Sequence, residues 1–222
     1  MNHTSTPSLS QAGLLLMDMD STLIQCECID EIADFLGIKA KISDITERAM
    51  QGELDFATSL IERVKLLQGL DAAVLQQVYE QRIRLTDGAE TLIQTVHAHG
   101  WKVGVVSGGF TYFTNLLQHR LQLDFTLSNQ LDIQNEQLTG KVLGDIVDAQ
   151  SKVQMLRSQA QAYGIPMRQT VAIGDGANDV PMLQAAALGV AFHAKPAVQT
   201  KADVAIHEGG LDEVLKLLSN TP

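Results

Sequence analysis

Four groups of reactive residue types lie far apart along the chain. Asp18 and Asp20 stand in GLLLMDMDSTL, and Ser107 and Gly108 in WKVGVVSGG. Lys152 stands in SKVQMLRSQAQAYG, and Asp175, Asn178 and Asp179 in QTVAIGDGAND. Carboxylates pressed together repel unless a cation or a proton lies between them. A serine hydroxyl with free backbone N–H groups can receive an anion, and a lysine can add positive charge on its oxygens. Together these types suit Mg²⁺ and a phosphoryl group, because Mg²⁺ takes oxygen ligands and bridges carboxylates to phosphate. The cation also lets an anionic carboxylate approach an anionic phosphate. The carboxylate can then act as a nucleophile and form an aspartyl-phosphate.

Taken singly, each group has an ordinary reading. Asp18 and Asp20 read as the polar end of a buried strand, and Ser107-Gly108-Gly109 as turn chemistry with serine as a helix N-cap. Asp179 reads as an N-cap before Pro181, and Lys152 as a surface lysine of a helix. Asp175 is harder to dismiss, because a strand would deliver it beside Asp18. The convergence of three strand ends is the stronger signal.

These residues need elements that bring them to one place. LLLM, KVGVV and TVAIG have the length and composition of buried strands, and each runs into one of the groups. Side chains alternate along a strand, so Asp18 and Asp20 are expected on one face. From Asp87 onward helices and strands alternate. AETLIQTVHAHG, TYFTNLLQHRL, SKVQMLRSQAQAYG and VPMLQAAALG are helical, GVAF and ADVAI are short strands, and LDEVLKLLSN is a closing helix. FTLSNQLDIQNEQLTGKVLG predicts a β-hairpin turning at Gln134-Asn135-Glu136.

The alternation predicts an α/β fold with a mostly parallel, doubly wound sheet and right-handed crossovers. In such sheets ligands sit beyond the carboxyl ends of the strands. Between Cys28 and Leu85 the pattern is helical throughout. IDEIADFLGI, ISDITERAMQG, FATSLIERVKLLQGL and AVLQQVYEQRI place apolar residues three and four apart, with Asp55 as a helix cap and Gly52 and Gly69 as stops. This block is an all-helical insertion.

With 222 residues, 45% of them hydrophobic, the chain can bury a sizeable core. Its formal charge of −10 argues against a nucleic-acid backbone as partner. No apolar run reaches the roughly 20 residues of a membrane helix. MNHTSTPSLSQAG carries no basic residue before a short apolar run, so it reads as a disordered tail and not as a secretory signal. Cys26 and Cys28 lack the companion ligands of a zinc site and read as reduced thiols.

In this order, DMDST, SGG, Lys152 and GDGAND resemble the DxD, Ser/Thr, Lys and GDxxxD motifs of the haloacid dehalogenase superfamily. DMDSTL, AMQGELDFATSLIERV, VVSGGF and GDGANDVPML are similar to its phosphoserine phosphatase family, and the likeness runs from about Gly13 to Leu218. Met17 and Met19 stand where relatives often carry Phe, a conservative difference. The resemblance implies a Rossmann-like core of residues 14–26 and 86–222 and a helical cap of residues 27–85; the expected tail of residues 1–13 departs from the many bacterial relatives that carry a regulatory domain there.

The resemblance also implies roles. Asp18 is the nucleophile; Asp20 protonates the leaving oxygen and then activates water. Mg²⁺ is held by the Asp18 side chain, the Asp20 carbonyl and Asp175, with Asp179 behind them. Ser107, Gly108 and Lys152 hold phosphate, and Asn178 positions Lys152 or substrate. In the cap, Glu27 receives the substrate ammonium and Arg63 its carboxylate, while Met50 and Phe56 line the pocket; without the resemblance these four read as solvated or packing residues. The implied activity is Mg²⁺-dependent hydrolysis of O-phospho-L-serine through a phospho-aspartate, the last step of serine biosynthesis. The alternative is a related phosphatase or phosphotransferase acting on homoserine or another small phosphomonoester. A phospho-accepting receiver domain uses similar residues, but the helical insertion and the paired DMD argue against it. The expected setting is cytoplasmic, as monomer or homodimer, with a small-molecule substrate and neither nucleic acid nor membrane as partner.

Overall fold

The computed structural model describes residues 6–50 and 54–218, with backbone alone for Glu47, Ala49 and Met50. Its strands are β1 (Leu14–Met17), β2 (Lys102–Phe110), β3 (Phe125–Gln134), β4 (Gln137–Leu143), β5 (Thr170–Gly174), β6 (Leu188–Phe192) and β7 (Val204–Ile206). They form one sheet in the order β4-β3-β2-β1-β5-β6-β7. Every pairing is parallel except β3 with β4, which is antiparallel at the edge.

The central β1 is buried on both faces, which is why its sequence is a continuous apolar run and not an alternating one. Leu15 and Met17 join the core formed by α5 (Ala89–Ala98) and α6 (Thr111–Leu121). Leu14 and Leu16 face the opposite core, with Val153 and Leu156 of α7 (Ala149–Ala162) and Met182 and Leu183 of α8 (Val180–Ala185). Each such buried side chain contributes about 1.5–3 kcal/mol.

Helices α1 (Cys28–Phe35), α2 (Lys39–Met50), α3 (Phe56–Lys65) and α4 (Ala73–Gln81) occupy the stretch between β1 and α5. Asp55 caps α3 as the sequence predicts, accepting the Thr58 N–H at 2.7 Å and the Thr58 hydroxyl at 3.1 Å. The outgoing and returning chains pair at the base of this insertion. The Gln25 N–H donates to the Arg84 carbonyl at 3.0 Å, and the Thr86 N–H to the Leu23 carbonyl at 2.9 Å. A second seam joins the insertion to the hairpin: the Gly69 N–H donates to the Leu138 carbonyl, and the Leu138 N–H to the Leu70 carbonyl, both at 2.8 Å.

Several local expectations change. Gln134 belongs to β3, and the hairpin turns on Asn135 and Glu136 alone, both left-handed (φ 50° and 63°), the geometry of a two-residue primed turn. Ser107 is not a helix N-cap, because β2 runs on through Ser107-Gly108-Gly109 and α6 starts at Thr111. The closing segment Leu211–Leu217 is a 3₁₀ coil and not an α-helix. Leu211 and Val214, both fully buried, are three apart, the spacing that this tighter coil aligns. The expected disorder of residues 1–13 does not extend to Ser8 and Leu9. The Ser8 N–H donates to Gln169 Oε1 at 2.8 Å, and Leu9 is buried in the core. Gly52 lies outside the described residues. No helix among the described residues is long and apolar enough to cross a membrane.

Candidate active site

The register of the sheet assembles the site. Met17 lies opposite Val105 on one side and Ile173 on the other. Asp18 therefore emerges at the carboxyl edge beside the strand ends that carry Ser107 and Asp175, the crevice where such sheets bind ligands. The Asp18 N–H still donates to the Ile173 carbonyl at 3.0 Å, so the last backbone bond of β1 fixes its origin.

Strand alternation does not carry on to Asp20. β1 ends at Met17, and residues Met19–Leu23 form one wide helical turn with Ser21 left-handed at φ 55°. A second element places Asp20: the N-terminus of α1, where the Cys28 N–H donates to Asp20 Oδ1 at 3.2 Å. Asp20 Oδ2 and Ser107 Oγ flank the bare α-carbon of Gly109, 2.7 Å and 3.1 Å from where a Cβ would stand. Burial, followed by the charge of Glu27, pushes the Asp20 carboxyl up to about 7, with the Cys28 hydrogen bond opposing them. This makes it a carboxyl able to hold a proton near neutrality.

Lys152 is wholly buried on α7. Its Nζ donates to Asp179 Oδ1 at 2.6 Å and lies 3.0 Å from Asp18 Oδ1. A surface reading of Lys152 is thereby excluded. Burial pulls its pKa down, but Asp179 and Asp18 outweigh burial and hold the ammonium charged. Burial raises the Asp18 carboxyl well above its ordinary value; Asp179 adds to this and Lys152 opposes it.

Oxygens of Asp18, Asp175 and Asp179 lie within 4.8 Å of one another. With Lys152, these three carboxylates carry a net −2 when ionised, which one divalent cation neutralises. Burial and Asp179 raise the Asp175 carboxyl to about 6, opposed by a hydrogen bond from Thr22. An all-oxygen donor set of this kind fits a hard divalent cation. Asp179 already has both oxygens engaged: Oδ1 by Lys152, and Oδ2 by the Gly176 N–H at 2.9 Å and the Asp175 N–H at 3.2 Å. Asp18 and Asp175 each keep an oxygen that accepts no bond among the described residues.

Ser107 is buried and its Oγ accepts the Gly109 N–H at 2.8 Å. The Gly108 carbonyl accepts from Asn129 Nδ2 at 2.8 Å, and Asn129 Oδ1 accepts the Val147 N–H at 2.9 Å. Asn129 thus pins the Ser107-Gly108 backbone from β3. Asn178 makes no hydrogen bond to Lys152 among the described contacts; its carboxamide lies over Gly176, and Asp18 and Asp179 hold the lysine instead.

The insertion reaches the end of β2. The Phe56 ring lies directly against Gly108. Arg63 is half-buried on the same face of α3, with Nε on the Ser59 carbonyl at 3.3 Å. Burial lowers its pKa, and the charges of Glu27, Asp30 and Asp20 oppose that. Glu27 is exposed, and its Oε1 accepts from Ser21 Oγ at 2.7 Å. The Met50 side chain lies outside the described residues.

Residues 15–184 match the haloacid dehalogenase-like hydrolases. The chain belongs to that family. Within the family it is 54% identical over 214 residues to a phosphoserine phosphatase of Haemophilus influenzae, covering 96% of this chain and 68% of that protein. It is 50% identical to a phosphoserine phosphatase of Idiomarina loihiensis, covering 95% of both chains. Other relatives are longer, and the chain spans 50% and 65% of two of them. A solved structure described as a phospho-aspartyl intermediate analogue of phosphoserine phosphatase superposes with a TM-score of 0.88 at 40% identity, covering 94% of this chain and all of that one.

Sequence reasoning assigned no role to Asn129, Thr22 or Ser21 in this hydrolase. Thr22 and Ser21 sit inside the quoted DMDST run, so proximity to the motif was the available signal. Asn129 had none: its position in a hairpin strand looks like any other polar residue, and only the neighbouring strand end gives it meaning.

Proposed function

We propose that this hydrolase cleaves O-phospho-L-serine to L-serine and phosphate through a phospho-aspartate on Asp18. The observation that carries the reading is a buried carboxyl, Asp18, and a half-buried one, Asp20, in different surroundings. Asp18 is held by Lys152 and the Met19 N–H at 2.7 Å, while Asp20 sits apart with its pKa near neutrality. Similarity to phosphoserine phosphatases over nearly the whole chain supports the substrate.

An Asp18 oxygen attacks phosphorus as the bond to the serine oxygen breaks, and Asp20 gives that oxygen its proton. Asp20 then takes a proton from water, whose oxygen attacks phosphorus and breaks the bond to Asp18. Ser107, the Gly108 backbone and Lys152 hold the phosphoryl oxygens. Asp18, Asp175 and the Asp20 carbonyl would hold Mg²⁺, with Asp179 supporting Asp175 and Lys152 from behind. When bound, the cation offsets the repulsion between carboxylate and phosphate.

Phosphoserine carries an ammonium and a carboxylate, so its head group needs one acid and one base. Glu27 and Arg63 of the insertion supply them, Arg63 with a fork that matches a carboxylate. In this reading residues 27–85 act as a cap over a core of residues 14–26 and 86–222, and Phe56 is a wall of the pocket. The cytoplasmic setting and the place in serine biosynthesis follow from the family resemblance.

Phosphate release from L-phosphoserine with Mg²⁺, beside sugar, nucleotide and amino-acid phosphates, tests the proposal. Preference for phosphoserine, lost with EDTA and with Asp18→Asn, is the expected result. Turnover of another ester alone would retain the chemistry and discard the substrate; phosphate passing to added homoserine would reveal a transferase.

A further inference from the structure

Thr22 lies wholly buried beneath the acidic cluster, one turn beyond Asp18. Its hydroxyl donates to Asp175 Oδ1 at 2.9 Å. Its carbonyl accepts the Thr86 hydroxyl at 2.7 Å, while the Thr86 N–H donates to the Leu23 carbonyl at 2.9 Å. Thr86 therefore grips the turn by side chain and backbone together. It does so where the chain returns from the helical insertion, one residue beyond the Ile24–Leu85 pairing.

Asp179 Oδ2 holds the Asp175 and Gly176 N–H groups, which fixes the backbone of the loop after β5 and not the Asp175 carboxylate. The residue is half-buried and stands between Gly174 and Gly176. Among the described residues, the Thr22 hydroxyl is the one hydrogen-bond partner of its carboxylate. A threonine hydroxyl has a single proton to give, and here it is given to one named oxygen. That bond leaves the other Asp175 oxygen without a hydrogen-bond partner among the described residues, in a residue that shares the acidic cluster with Asp18 and Asp179. A carboxylate tied at one oxygen offers the other singly, which suits a small cation that demands near-octahedral geometry.

We propose that Thr22 positions Asp175 for a divalent cation and that Thr86 holds Thr22 in place. The inference deepens the function proposed above and rests on it. Neither threonine touches the reacting atoms. They orient a ligand, as partners behind a metal site do, and removing such a partner costs about 10–100-fold in affinity. The arrangement also ties the returning end of the insertion to the cation site through two hydroxyl bonds, Thr86 to Thr22 and Thr22 to Asp175.

Calorimetric titration of the metal-free protein with Mg²⁺ tests this without turnover. Wild type is expected to bind. Thr22→Val, which keeps the shape and removes the proton, is expected to bind about 10–100-fold more weakly. Thr22→Ser restores the hydroxyl and should return close to wild type, and Thr86→Val should fall between. Wild-type affinity in Thr22→Val would overturn the inference and leave the proposed reaction standing. If Thr22→Val fails to fold by circular dichroism, Thr86→Val decides: an unchanged affinity there overturns the proposal. A wild-type protein that binds no Mg²⁺ would overturn the functional reading, and this inference with it.

Discussion

The ring of Phe56, carried by the helical insertion, fills the space that a side chain on Gly108 would need. A Cβ on Gly108 would stand 2.6 Å from Phe56 Cζ. The bare backbone at the end of β2 is therefore what lets the insertion lie against the strand end proposed to hold phosphate. Asn129 fixes the same residue from the other side through the Gly108 carbonyl. Gly108 is gripped by two elements that are far apart in sequence.

Gly108→Ala follows directly from this contact. The clashing atom is the far end of a ring, so Phe56 should swing away before the backbone moves. The expected stability loss is about 1 kcal/mol, a few degrees in Tm for a chain of this size. The KM for phosphoserine is expected to rise about tenfold, equivalent to 1.4 kcal/mol of lost binding. Steady-state kinetics beside thermal denaturation separates the two effects. An unchanged KM would remove Phe56 from the pocket wall.

Lys152→Met tests the buried ion cluster. The substitution leaves Asp18 and Asp179 facing each other without the ammonium that both contact. Stranding buried charges in this way costs about 3–5 kcal/mol, so Tm should fall by roughly 10 °C at pH 8. The deficit should shrink towards pH 5, where Asp18, whose carboxyl burial raises, takes up a proton. Thermal denaturation at the two pH values checks both parts, and turnover should fall at least about 100-fold, as when one charge-stabilising donor is removed.

Asp20 and Asp175, raised to about 7 and about 6, bind protons in the folded state at pH values where the unfolded chain has released them. Folding stability of the metal-free protein therefore falls as pH rises from about 4 through 7. A divalent cation at Asp175 competes with that residue's proton and replaces it as the balancing charge. Mg²⁺ should thus raise Tm more at pH 8 than at pH 5. At 100 times its dissociation constant the gain is about 2.7 kcal/mol. Melting curves with EDTA and with Mg²⁺ at both pH values measure it; an equal shift at both would mean that the cation does not displace the Asp175 proton.

Much of the architecture was legible because its causes are local. LLLM, KVGVV and TVAIG are too apolar to face water on either side, and strands buried on both faces belong in a parallel sheet. The helical spacing from Cys28 to Leu85 marked the insertion, and Asp55 announced the start of α3 by the same chemistry that caps it in the fold. The sequence misled where a backbone could continue in two ways. Ser107-Gly108-Gly109 has turn composition, yet β2 carries it as an irregularity and resumes pairing with β3 at Phe110, opposite Asn129. Asp18 and Asp20 have strand spacing, yet the chain breaks after Met17 because the insertion must depart there.

By itself, then, the sequence determined which reactive groups exist and at which strand ends they arrive, since residue type and hydrophobic period are written along the chain. The tertiary structure decided what each group is. Lys152 becomes a charge locked between two carboxylates because packing, not composition, takes it out of water. The Asp20 carboxyl rises to about 7 because desolvation and the nearby charge of Glu27 disfavour its ionised form. Asn129, Thr22 and Thr86 acquire partners 21, 153 and 64 residues away, respectively. Burial, and bonds across such separations, depend on the whole chain having closed around them, which no local pattern records.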